Sequence, residues 1–240
     1  DQGYTIVERN NIRHSQGWGI AYDAGPRDGG ASWPHPGSPM PLREINTDRL
    51  VPGISIQNNV LAYNGTGGIL FSGDNAGGPA AAVPFGRIVN NTVYGNTDDG
   101  AGASGTGIRV EQNAGPTLVN NILANLNTGL SVDGSSSPVT EENAFIYQNV
   151  NTPGPVGEHS IGLLPTEPLF VNPSRGNFYL AAGSKAIDNS VEALNERLSM
   201  QKVRQPLGID DSPIKAPGYD MFGQLRWDDP TYSPPTGPGS

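Results

Sequence analysis

Acidic residues recur at one place in the pattern of the chain: Asp23, Asp74, Glu111 and Asp133 each follow a short segment of the form Gly-apolar-x-apolar. If those segments are stacked strands, equivalent side chains lie only about 4.8 Å apart and the carboxylates form a vertical row. Such a row can hold Ca²⁺, which favours several hard oxygen ligands, so Asp23, Glu111 and Asp133 are candidate metal ligands. Asp74 is displaced by two residues, which breaks the row at that copy. Paired carboxylates can also divide the acid and base steps of glycoside cleavage, and Glu111 and Asp133 are the weak candidates for that work. Acids at strand ends are also ordinary solvated turn residues, and that plainer reading stays open. A second constellation, Arg27, Trp33 and His35, lies in a proline-rich insertion and suits a carbohydrate platform, because an aromatic face stacks on the apolar face of a sugar. Trp33 covering the flank of the fold is the alternative. His14, His35 and His159 have no mutual spacing that suggests zinc.

The elements that would position these groups show themselves as a repeat. Its order is apolar-x-apolar-x-Asn-Asn-apolar, a polar turn, then Gly-apolar-x-apolar-x-acid, and it is found at 5–23, 53–74, 86–111 and 116–133, with a worn fifth copy beginning at 139–149. The Asn pairs fall at Asn10 and Asn11, Asn58 and Asn59, Asn90 and Asn91, and Asn120 and Asn121. Asn tolerates the left-handed backbone of a sharp corner, and its amide can bond the Asn of the neighbouring copy, so stacked pairs would lock the register. On this reading Ile12, Val60, Val93 and Ile122 point inside, as do Ile20, Ile69, Ile108 and Leu130 on the following sheet. A β-sandwich with accidental Asn pairs is the competing architecture.

Composition agrees with many short strands separated by turns. Of 240 residues, 33 are Gly and 22 Pro, while charged residues make up only 15%, well below the roughly 25% usual in globular domains. The absence of cysteine rules out disulfides and thiolate metal sites. A net charge of −9 with no basic stripe argues against nucleic acid as a partner, and no apolar run is long enough for a membrane span. The chain opens at Asp1 without an initiator Met or capping element, as expected of a processed piece whose first strands expose unpaired edges.

The four copies resemble the repeats of right-handed parallel β-helix proteins of the pectate-lyase-like superfamily, over about the first 150 residues. The segment "PLFVNPSRGNFYLAAGSKAID", 168–188, is similar to the closing part of choice-of-anchor bacterial surface proteins. The resemblance implies an all-β chain: a right-handed parallel β-helix, or solenoid, over 1–155 with insertions at 24–52 and 74–85. A small C-terminal cap would follow over 156–229, then a Pro/Gly-rich tail over 230–240. One short amphipathic helix is expected over 190–203, where Val191, Leu194 and Leu198 have helical spacing. The resemblance further implies an extracellular or cell-surface protein. Lyases of the superfamily pair a cation with a Lys or Arg base, which adds Arg109, beside Glu111, to the weak catalytic candidates. Three readings follow in order: a non-catalytic module engaging polysaccharide or a cell-surface glycan, a self-associating subunit of an extracellular assembly joined by strand addition, and a Ca²⁺-dependent polysaccharide lyase or glycosidase.

Overall fold

The computed structural model describes residues 5–24, 54–73, 86–95, 102–138, 145–155, 157–198, 201–202, 205–208 and 210–227. The first copy of the repeat supplies β1 (Thr5–Glu8), β2 (Asn11–Arg13) and β3 (Trp18–Asp23). The second supplies β4 (Ile54–Gln57), β5 (Val60–Ala62) and β6 (Gly67–Ser72), and the third β7 (Arg87–Val89), β8 (Thr92–Tyr94) and β9 (Thr106–Glu111). In the fourth, β10 (Thr117–Val119) precedes a single strand of 11 residues, β11 (Ile122–Val132). Each strand pairs in parallel with its equivalent in the next copy, giving one sheet β1-β4-β7-β10 and a second, nearly closed sheet β2-β5-β8-β11-β9-β6-β3. The second sheet curls because β11 is continuous where earlier copies are interrupted: it pairs with β8 at Ile122–Ala124 and with β9 at Thr128–Val132. The worn fifth copy is present as β12 (Ile146–Thr152), followed by β13 (Ile161–Leu163), both parallel to what precedes them.

The Asn corners behave as their chemistry requires. Asn58, Asn90 and Asn120 hold φ of 55°, 54° and 53°, the left-handed region that Asn enters more readily than other side-chained residues. The Asn that follows each is buried and bonded along the stack. The main-chain N–H and amide nitrogen of Asn59 both donate to Asn91 Oδ1, at 3.1 and 3.0 Å, and those of Asn91 donate to Asn121 Oδ1, both at 3.1 Å. Each amide also reaches a neighbouring carbonyl, as Asn91 Nδ2 reaches Ile56 O at 2.9 Å. The first copy departs from expectation by one residue. Asn11 pairs with Val60, and Asn10 is the member that donates to Asn59 Oδ1, so Arg9 takes the left-handed corner at φ 57°.

That register decides which side chains are inside. Ile12, Leu61, Val93 and Leu123 form one inner column, whereas Val60 and Ile122, expected inside, stand in the outward column with Asn11 and Thr92. Alternation permits only one of two adjacent residues to face the core, and Leu61 and Leu123 hold that place with no exposed surface. Ile20, Ile69, Ile108 and Leu130 share an inner column as expected, and Val7, Ile56, Ile88 and Leu118 form another. The Gly at the second position of β3, β6 and β9 sits where space is short: a Cβ on Gly68 would stand 2.4 Å from a Val93 methyl and 2.7 Å from Gly107 O.

The helix expected over 190–203 is found only toward its end, where Leu198, Gln201 and Lys202 are helical and Gln201 N donates to Arg197 O at 3.1 Å; its first apolar positions are not helical. Ala193–Leu194 is strand β16, antiparallel to β17 (Ile214–Lys215), after a hairpin of β14 (Phe170–Asn172) and β15 (Asn177–Leu180). Val191 and Leu194 are buried against Val89, Val119 and Ile214, while Leu198 is 73% exposed, so helical spacing here marks no helical face. The physical reason is a competing partner: Asn120 Oδ1 accepts from Val191 N at 2.8 Å and Asn120 Nδ2 donates to Val191 O at 2.7 Å, holding the backbone extended. This part lies along the outer faces of both sheets. Leu163 and Leu169 cover Ala124 and Ile146, and the guanidinium of Arg197 donates to Gly115 O and, at 3.0 Å, to Ser137 O.

Candidate ligand-binding cleft

The acidic positions are brought toward one column, but not as an unbroken row. Asp23 pairs with Ser72 and Ser72 with Glu111, so a serine occupies the place left by the displaced Asp74. Asp133 follows directly on Val132, the partner of Val110, which sets it on the rung beside Glu111. Asp74 itself lies outside the described residues, as do Arg27, Trp33 and His35. Glu111 accepts from Arg109 Nε at 2.6 Å and from Ser72 Oγ at 3.2 Å. Partial burial would raise the pKa of Asp133, but hydrogen bonds from Gln112 N, the Ser136 and Ser135 hydroxyls and Ser135 N outweigh it and hold the carboxyl below the usual aspartate range. Glu111 thus ties neighbouring strands together, while Asp133 fastens a turn. Among the described residues no three His, Cys, Asp or Glu side chains gather closely enough to hold a metal ion.

A different place is open. Between the outward column of Asn11, Val60, Thr92 and Ile122 and the returning C-terminal part lies a cleft of about 560 Å³, within the range of small-molecule sites. Its floor carries the left-handed corner residues Asn58, Asn90 and Asn120, whose amides point outward because their buried neighbours take the inner bonds. Two of the three grip the returning chain: Asn120 holds Val191, while Asn58 donates to Tyr219 O at 2.8 Å and accepts from Arg226 at 2.8 Å. Between them Asn90 has only a 3.4 Å contact from Asn120 Nδ2 to its oxygen, and its own amide nitrogen bonds to none of the described residues.

The walls come from the hairpin β14–β15 and the turn at 219–225. Tyr179 and Phe222 stack with ring centres 5.2 Å apart and planes 20° from parallel, yet stay 46% and 61% exposed. Asp220 sets the turn by accepting from Phe222 N and Gln224 N, both at 2.8 Å. At the other end Arg13 donates from Nε to Asn11 Oδ1 at 2.6 Å and from Nη2 to Gly176 O at 3.0 Å, with its guanidinium 5.3 Å from the centre of the Phe178 ring. Gly176, at φ 74°, leaves the space that this side chain occupies.

None of Arg13, Asn90, Arg175, Tyr179 or Phe222 is marked as functional by sequence reasoning. The segment "NPSRGNFYL" did carry a signal, namely Arg and aromatics around a turn-forming Gly. No family model matches this chain, and neither does any curated protein or solved structure.

Proposed function

We propose that this chain is a right-handed parallel β-helix module of the extracellular or cell-surface space that binds a polysaccharide without transforming it. The observation that carries the reading is the cleft itself: outward amides at the spacing of successive strands face an exposed aromatic pair. Amides suit sugar hydroxyls, and stacked rings suit the apolar face of a pyranose. Parallel pairing of equivalent strands in four successive copies supports the β-helix architecture. The lyase or glycosidase reading receives less support, because Glu111 and Asp133 spend their oxygens on Arg109, Ser72 and turn donors. No described helix is long and apolar enough to cross a membrane.

The test is affinity electrophoresis across a panel of soluble neutral and acidic polysaccharides, followed by titration calorimetry on any that retard the protein. Losing one stacking face costs about 1–1.5 kcal/mol, so Phe222→Ala is expected to weaken binding about tenfold. Binding untouched by both Phe222→Ala and Tyr179→Ala would remove the cleft from the account, and a panel without a single ligand would remove the glycan.

A further inference from the structure

We infer that the cleft selects a negatively charged sugar chain, carboxylated or sulfated, and contacts its anionic groups directly through arginine without a bridging cation. The inference rests on the glycan reading and deepens it. The chain as a whole carries a net charge of −9, yet the charged residues lining the cleft are three arginines, Arg13, Arg175 and Arg226, against one acid, Asp220. The lone acid is engaged in its own turn, where it accepts from Phe222 N and Gln224 N. The cleft is therefore a positive concavity on an acidic body, and clefts of one sign concentrate ligands of the other.

The donor balance points the same way. Arg175 stands exposed on the turn before Gly176, and its guanidinium bonds to none of the described residues. Arg13 commits Nε and Nη2 to the protein, and a guanidinium has five donors in a fixed fork, so Arg13 retains some for a ligand. Asn90 contributes a further unused N–H pair in the same cleft. The spare charged groups in this cleft are donors, and a carboxylate or sulfate is a group made only of acceptors. A bridging Ca²⁺ would need several oxygen ligands, and here a single carboxylate already serves a turn.

The experiment uses the full chain and five probes: hyaluronan, carboxyl-reduced hyaluronan, dextran sulfate, plain dextran and poly-glutamate, each titrated with and without EDTA. At least one charged polymer is expected to bind about tenfold or more tightly than its uncharged counterpart, with affinity falling as salt rises and unchanged by EDTA. Which of the two binds assigns carboxylate or sulfate as the recognised group. Arg175→Gln, whose side chain has no structural partner to lose, is expected to erase most of that difference while leaving the melting temperature unchanged, and Arg175→Lys to restore part of it. Equal binding of charged and uncharged polymers would overturn the charge selection and leave the glycan reading standing. Binding of neither would overturn both. Loss of binding in EDTA would overturn the direct contact, and equally tight binding of poly-glutamate would show ion exchange in place of sugar recognition.

Discussion

Asn91 takes part, through its side chain and N–H, in five hydrogen bonds at a site with no exposed surface. Replacing it by Ala strands two donors of Asn59 and leaves the Ile56 carbonyl and Asn121 oxygen short of partners. At about 1–3 kcal/mol for each unsatisfied buried group, Asn91→Ala is expected to lose about 3 kcal/mol or more in urea unfolding. Its neighbour tells the opposite story: Asn90 at φ 54° accepts Gly with little change in stability, whereas Asn90→Val, β-branched in a left-handed corner, is expected to cost about 1–3 kcal/mol. Equal midpoints for the Gly and Val variants would disprove the backbone argument. Asp133 supplies a pH signature. Its folded pKa is lowered, so its contribution is present above the ordinary aspartate range and is lost as pH falls through the folded value. Asp133→Asn should therefore lower the urea midpoint at pH 7, with the gap to wild type closing below about pH 4. A gap that persists in acid would mean the charge is irrelevant.

Among the elements, the short strands were legible because period-two alternation and the Asn corner recur in order, and the inner column Ile20, Ile69, Ile108 and Leu130 falls where that pattern puts it. The register of the first copy was not, because Asn10 and Asn11 match the motif equally well at either offset. The pairing of Asn11 with Val60 and the main-chain N–H and amide of Asn10 meeting Asn59 Oδ1 separate the two. The misread helix has a similar origin. Val191 and Leu194 are three apart, but they reach the core from an extended backbone held by Asn120 and by Ile214, partners that no local window contains. Gly68 was seen as the start of a strand, while its packing role was hidden. Gly68→Ala is expected to cost about 1–3 kcal/mol through overpacking against Val93, and Val93→Ala in the same chain to recover part of that loss. Additive penalties in this double-mutant cycle would contradict the contact.

At the scale of the molecule, the cleft could not be read from the sequence because its two walls are far apart in the chain: Arg13 meets Gly176 across 163 positions. The parallel sheets are built from neighbouring copies, whereas the C-terminal part is held by two-stranded pairings and by side chains such as Arg197. Hydrogen exchange is expected to release the amides of β14–β17 before those of β5, β8 and β11, and Arg197→Ala to hasten exchange around β16 and β17 alone. Uniform exchange would mean that the molecule opens as one unit. Along the flank, the C-terminal part touches Ile146 in the fifth copy, then through Gly176 it meets Arg13 in the first, through Val191 Asn120 in the fourth and through Arg226 Asn58 in the second. It therefore gauges the number of coils between the first copy and the fifth. Duplicating one copy between them would lengthen that stretch of the stack by about 4.8 Å and pull Arg13 out of reach of Gly176, so a coil cannot be inserted or removed there without redesigning the segment that spans it.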